Sequence, residues 1–286
     1  MKVSVLDEAR CHLGEGPVWD PSVEALYWVD SYGPTLYRND FLSGRTRSWT
    51  LPGKAVGSLA PRERGGLILA MDQGLYAFDC EDASLELIVQ VLDPDSGLRL
   101  NDGKVDPFGS FVTGAMNIDY RQAVNCAMYR LSPQLELSEI LDGFVCFNGP
   151  CFSADGESLY VTGRDESVIE AFDYGAAQRP RNGRVLLADC NPDGATVDAE
   201  GFVWSAQWDD ACILRIDPDG NIDRRIDFPG QVVSSVMFGG PELDLIYVTT
   251  TGGEVHGARP SANGAGRVLV VSGAGYRGRA EPLFKG

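Results

Sequence analysis

Arg99-Leu-Asn-Asp-Gly-Lys-Val-Asp-Pro-Phe-Gly-Ser-Phe-Val-Thr-Gly-Ala-Met116 sets polar groups ahead of a strand. An Arg, an Asn and an Asp lie within four residues, and the apolar run at Phe111-Val112 begins only after the turn Pro107-Phe108-Gly109. Gly and Pro punctuate the stretch too closely for a helix, so the polar residues read as a loop mouth with a sheet beneath it. Gly14-Glu15-Gly16-Pro17, Asn148-Gly149-Pro150 and Pro192-Asp193-Gly194 carry the same marks: one oxygen-bearing side chain beside Gly or Pro, just before a strand-like run.

From Gly103 onward the stretch is one copy of a recurring phrase: a small residue, a short apolar segment, an Asp/Pro/Gly turn, a β-branched or aromatic strand, a second turn and another strand. The copies begin at Gly16, Gly57, Gly103, Gly149, Gly194 and Ser235, successive starts lying 41 to 46 residues apart. That spacing belongs to four-stranded propeller blades. Helical periodicity is nearly absent, and no linker or low-complexity segment stands out. The expectation is therefore all-β: a six-bladed β-propeller of four-stranded antiparallel blades, one domain over residues 1–286. The run Val3 to Leu6 precedes the first copy and is expected to pair with the strands near Arg267 to Val271, closing the ring and removing a free edge. The innermost strand of each blade points into the central channel, so residues at corresponding phases converge. Glu15, Asn101, Asn148 and Asp193 should then share one axial site.

The bulk properties narrow the partners. A formal charge of −17 and a pI near 4.4 repel phosphate backbones and anionic lipid, which disfavours nucleic acid. No window approaches the roughly 18 apolar residues of a membrane span. The first ten residues lack the apolar core of a signal peptide and carry acidic residues at once, so the expected compartment is the cytoplasm. Seven scattered cysteines, odd in number, read as buried thiols in a reducing compartment, and Cys146 and Cys151 lack nearby partners for a zinc site. Small neutral ligands or metal cations remain.

Glu15, Asn148 and Asp193 offer two carboxylates and one amide oxygen, hard donors that suit Ca²⁺, Mg²⁺ or Mn²⁺ and that Zn²⁺ tolerates. Three protein ligands leave positions for water and substrate, as a catalytic metal requires. The same residues also suit plain turn capping, since Glu-Gly and Asp-Gly are ordinary turn dipeptides. Only His12 and His256 are available to a nucleophile–histidine system, and no G-x-S-x-G elbow exists. His12 neighbours Glu15 and could touch a ligand; His256, in a Gly-rich late loop, reads as surface. No Walker A or dinucleotide fingerprint occurs. Trp19, Trp28 and Trp204 fall in strand-like phrases and read as blade packing. Trp208 follows a strand end and could wall a pocket.

LGEGPVWD (13–20), RLNDGKVDPFG (99–109), FNGPCFSADGESLY (147–160) and NPDGATVDAEGFVW (191–204), in this order, resemble the senescence-marker-protein, gluconolactonase and regucalcin family. The resemblance implies a six-bladed propeller that hydrolyses sugar lactones with one divalent metal (Ca, Zn, Mn or Mg), working as a monomer or small homo-oligomer. Carried over by motif, Glu15, Asn148 and Asp193 would be the metal ligands, with Asp193 also the general base. Arg99, Asn101 and Asp119 would bind the substrate's oxygens. Two segments depart from the family pattern, at Gly163-Arg164-Asp165-Glu166 and Gln207-Trp208-Asp209-Asp210. Both should border the pocket, so Arg164 and Trp208 are candidate specificity residues, Arg164 as a cation for an anionic lactone, and His12 is a third because it neighbours Glu15. Two other functions fit the scaffold: a calcium-binding regulatory propeller and a metal-dependent phosphotriesterase.

Overall fold

The computed structural model describes residues 1–118, 126–163 and 166–286, and Asp119 and Arg164 lie outside them. Among the described residues the chain forms strands, turns and bends and no helix, hence none long and apolar enough to cross a membrane. After β1 (Lys2–Val5), the first blade is β2 (Gly14–Asp20), β3 (Ala25–Asp30), β4 (Thr35–Asp40) and β5 (Arg45–Thr50). The second is β6 (Val56–Pro61), β7 (Leu67–Met71), β8 (Gly74–Phe78) and β9 (Leu85–Gln90). The third is β10 (Leu98–Val105), β11 (Phe111–Asn117), β12 (Cys126–Leu131) and β13 (Leu137–Phe144). The fourth is β14 (Asn148–Phe152), β15 (Ser158–Gly163), β16 (Val168–Asp173) and β17 (Arg181–Ala188). The fifth is β18 (Pro192–Val197), β19 (Val203–Gln207), β20 (Cys212–Ile216) and β21 (Ile222–Asp227). The sixth takes β22 (Val233–Gly239), β23 (Leu245–Thr250) and β24 (Leu269–Ser272) from the end of the chain and β1 from its beginning.

β1 is the outer strand of that last blade, antiparallel to β24 with Lys2 opposite Ser272 and Val5 opposite Leu269, so the expected closure is present. The Leu6 amide then donates to the Val268 carbonyl at 2.9 Å. Pairing of the two ends ties the ring shut and supplies the partner that β24 would otherwise lack.

Burial falls from the axis outward. The innermost strands β6, β14, β18 and β22 and the second strands β3, β7, β11 and β19 are buried from end to end, whereas β5 and β21 are mostly exposed. A strand sandwiched between neighbouring blades has no solvent face, so it reads as a continuous apolar run such as Leu67-Ile68-Leu69-Ala70-Met71 rather than as an alternation. The cores accordingly lie between blades. Trp204 of the fifth blade meets Phe238 of the sixth edge-on, ring centres 5.5 Å apart, and Trp19 of the first stacks beside Tyr247 of the sixth at 6.3 Å. Such pairs contribute about 0.5–1.5 kcal/mol beyond their buried area.

Each of the six innermost strands breaks register at the same phase: between Glu15 and Val18, Val56 and Ser58, Leu100 and Gly103, Asn148 and Cys151, Pro192 and Ala195, and Val233 and Ser235. The Gly- and Pro-marked motifs therefore are not turns ahead of a strand, as their composition suggested, but irregularities within one. Pro lacks a ladder donor and Gly tolerates left-handed backbone, so both collect where a strand bulges. Gly16 and Gly149 have φ of 53° and 52°. Glycine also allows close approach near the axis: a Cβ on Gly194 would lie 2.0 Å from Ser235 Oγ of the next blade.

Candidate active site

The bulges aim polar side chains along the axis. Glu15 on β2, Arg99 and Asn101 on β10, Asn148 on β14 and Asp193 on β18 line one cavity of about 30 Å³, together with Trp208 just after β19. Residues 193 positions apart in sequence, Glu15 and Trp208, thus line one cavity. Arg99, Asn148 and Asp193 are 5%, 7% and 5% exposed, so the cavity is lined by polar groups largely withdrawn from water.

A hydrogen-bonded chain fixes three of them. Arg99 Nη1 donates to Asn101 Oδ1 at 3.0 Å, and Asn101 Nδ2 donates to Asn148 Oδ1 at 2.5 Å and to the Phe147 carbonyl at 3.0 Å. The arginine can only donate, so it turns the Asn101 oxygen toward itself and the Asn101 amide nitrogen toward Asn148. The Asn148 amide oxygen keeps a second lone pair for a ligand. Asp102, next along β10, accepts from the Gly149 amide at 2.8 Å and from the Gly103 amide at 2.8 Å, which pins the bulge of β14 to that of β10. Thr162 Oγ1 donates to the Asp193 carbonyl at 2.8 Å, tying the fourth blade to the fifth.

Electrostatically the site is short of positive charge. Burial, then the nearby Asp193 and Asp102 carboxylates, push the Glu15 carboxyl well above its ordinary value of 4.5, with Arg99 and the Gly16 amide opposing only in part. Burial also raises Asp102. Two close carboxylates in a dry cavity repel each other unless a proton or a cation is shared between them. With the Asn148 oxygen beside them, Glu15 and Asp193 form a donor set that fits a hard divalent cation. No group of three His, Cys, Asp or Glu among the described residues is arranged to hold a metal, so the set depends on the Asn148 amide.

The remaining expectations divide. Trp208 does wall the cavity; it is 2% exposed and packs with Leu13, Val232 and Val255. Trp19, Trp28 and Trp204 are blade packing at 3%, 1% and 0% exposure. His12 does not line the cavity: it is exposed, its ring 5.8 Å from that of Tyr32. His256, expected at the surface, lines it instead and shares a 3.0 Å hydrogen bond with the Tyr32 hydroxyl. The segment after β23 folds inward because Val255 joins the Leu13–Trp208 cluster, carrying His256 over the channel. A single buried valine among glycines is too slight a signal to read from sequence. Asp102 was legible in principle, since it sits inside the same motif as Asn101.

Among the described residues, a six-bladed propeller brings oxygen donors and an arginine together at its hub, with the blades as their scaffold. The SMP-30/Gluconolactonase/LRE-like region matches residues 13–252, and the chain belongs to that family. Pentonolactonase XacC of Haloferax volcanii is 32% identical over 263 residues, covering 90% of this chain and 88% of that one. A luciferin-regenerating enzyme superposes with a TM-score of 0.92 at 27% identity, covering 99% of both chains. Regucalcin of Agrobacterium tumefaciens, a calcium-binding protein, gives 0.88 at 27% identity over 98% of this chain and 96% of its own.

Proposed function

We propose that this protein is a metal-dependent sugar lactonase that opens an aldonolactone to its sugar acid. One observation carries the reading: Glu15 and Asp193 share an axial cavity with the Arg99–Asn101–Asn148 chain, so an acidic cation site and a substrate-orienting arginine occupy one small volume. A bare ion site has no need of the arginine. Family membership and the pentonolactonase relative support a lactone-ester hydrolase.

Glu15, Asn148 and Asp193 would hold the cation, which when bound supplies Lewis-acid polarisation of the lactone carbonyl. Asp193 accepts a proton from the attacking water. Arg99 and Asn101, and in the motif-based reading Asp119, orient the ring oxygens and hydroxyls, converting binding energy into positioning. Trp208 excludes water from one wall. We place the enzyme in the cytoplasm, a reading supported by seven cysteines with no disulfide among them.

A pH-stat assay against aldonolactones, with each divalent metal and after exhaustive chelation, tests the scheme. Acid release that vanishes on chelation and returns with metal is expected; full turnover after chelation overturns it. A second reading, a calcium-binding regulatory propeller, is favoured by the similarity to Agrobacterium regucalcin and by an all-oxygen donor set. Silence on every lactone combined with tight Ca²⁺ binding would select it.

A further inference from the structure

The axial cavity of about 30 Å³ seats an ion and one or two water-sized groups, so only the ester group of a lactone can enter it. The single ring then lies in a second cavity, of about 510 Å³, whose walls include Tyr32, Lys54, Gln73 and Arg99. Arg99 lines both cavities, and a second link runs between them. His256 lines the small one, Tyr32 lines the large one, and the Tyr32 hydroxyl and His256 Nε2 share a 3.0 Å hydrogen bond. The Arg99 guanidinium stands 5.9 Å from the centre of the Tyr32 ring, so three side chains occupy the boundary.

Local structure holds the pair in place. Asp30 accepts the backbone amides of Tyr32 and Gly33, each at 3.2 Å, and those of His12 and Leu13, which fixes the loop that carries Tyr32. Val255 and Ala258 exchange both backbone hydrogen bonds, at 3.0 and 2.9 Å, around His256 and Gly257, whose φ angles are 48° and 84°. That is a type I′ turn, in which Asn-Gly or Gly-Gly sits with less strain than a residue bearing a ring on its Cβ. A histidine kept in left-handed backbone at a cavity wall points to a role for its side chain. Val255, buried in the Leu13–Trp208 cluster, aims the turn at the channel.

The chemistry of a lactone allots the boundary positions. With its carbonyl oxygen toward the ion, the ester carbon has two other neighbours, the ring oxygen and the carbon bearing the first hydroxyl. The ring oxygen only accepts hydrogen bonds and gains negative charge as its bond to the ester carbon breaks, which suits Arg99, a donor only. A hydroxyl both donates and accepts, as does a neutral imidazole. We propose that His256 binds the hydroxyl on the carbon next to the lactone carbonyl, with Tyr32 as its positioning residue, so that the enzyme selects lactones hydroxylated at that carbon. This rests on the lactonase reading and narrows its substrate class.

The test compares kcat/KM for gluconolactone and for the deoxy lactone lacking that hydroxyl. The ratio of the two should be about tenfold larger in the wild type than in His256→Ala, which corresponds to about 1.4 kcal/mol, the worth of one hydrogen bond. Comparing ratios cancels the intrinsic difference in reactivity between the two lactones. Tyr32→Phe keeps the ring beside Arg99 and removes only the hydroxyl, so it should lose part of the ratio, about threefold. His256→Asn puts the favoured Asn-Gly pair in the turn, so its melting temperature should hold or rise while the ratio falls. Equal slowing of both lactones in His256→Ala, whatever its melting temperature, or no change in either, overturns the inference. If no lactone is hydrolysed, the lactonase reading fails by itself, and calorimetric titration with gluconate and with its deoxy form in the presence of Ca²⁺ decides the contact. Tighter gluconate binding that His256→Ala erases upholds it, and indifference between the two acids, or binding of neither, removes it.

Discussion

At the scale of single residues, Glu15 is where folding and chemistry oppose each other. Its carboxyl is raised by burial and by Asp193 and Asp102, so in the metal-free protein the folded state holds a proton that the unfolded chain has released. Stability of the metal-free protein should be full below pH 4.5 and fall as pH climbs through the raised value. Melting temperatures followed upward in pH with a chelator present check the sign, and a saturating divalent cation should reverse the fall. Glu15→Gln removes the charge while keeping the shape, so two opposite effects are expected: a more stable metal-free protein near neutral pH, and metal affinity weakened roughly tenfold or more. Calorimetry reads the second, thermal melts the first. Asp193→Ala should lower kcat by about a thousandfold with the fold intact, the magnitude of a lost general base, measured by initial rates at saturating metal. These residues were legible because Glu, Asn and Asp each stand in a Gly- or Pro-marked phrase. His256 was not, since its place depends on Val255 packing against Leu13 and Trp208, which belong to other parts of the chain.

At the scale of elements, the repeated bulge of the innermost strands gives the site its geometry. A regular strand would alternate side chains between the faces that pack on neighbouring blades; a bulge turns one of them toward the axis. Composition marked four of the six places and mistook their kind, because Gly-Pro and Asp-Gly serve turns and bulges alike. Glycine at these places also sets how closely adjacent blades approach. Gly194→Ala would drive a methyl to 2.0 Å from Ser235 Oγ and 2.4 Å from its Cβ, so the fifth and sixth blades must part. The expected cost is about 3 kcal/mol, read as a lower urea midpoint, and activity should fall with it because the neighbouring residue is Asp193. Lactone hydrolysis unchanged in a destabilised Gly194→Ala protein would separate blade spacing from catalysis.

At the scale of the whole molecule, the ring is closed by pairing the first strand with the last. Deleting residues 1–6 strips β24 of its neighbour and exposes a buried edge, so melting should drop by several degrees and aggregation should rise, as light scattering during a thermal ramp would report. The C-terminal segment adds a second tie: Glu281 meets Lys104 at 3.2 Å and Thr196 at 3.1 Å, and the Phe284 amide donates to Pro61, joining three blades at the far end of their inner strands. The sequence alone determined the number of blades, the closure and which phases face inward, because each follows from a local pattern repeated at fixed spacing. Only the tertiary structure decided that the motifs are bulges, that His256 rather than His12 reaches the cavity, and that Arg99 stands between a small acidic cavity and a large one. Those outcomes depend on contacts between blades, and a pattern confined to one blade holds no record of how its neighbour packs.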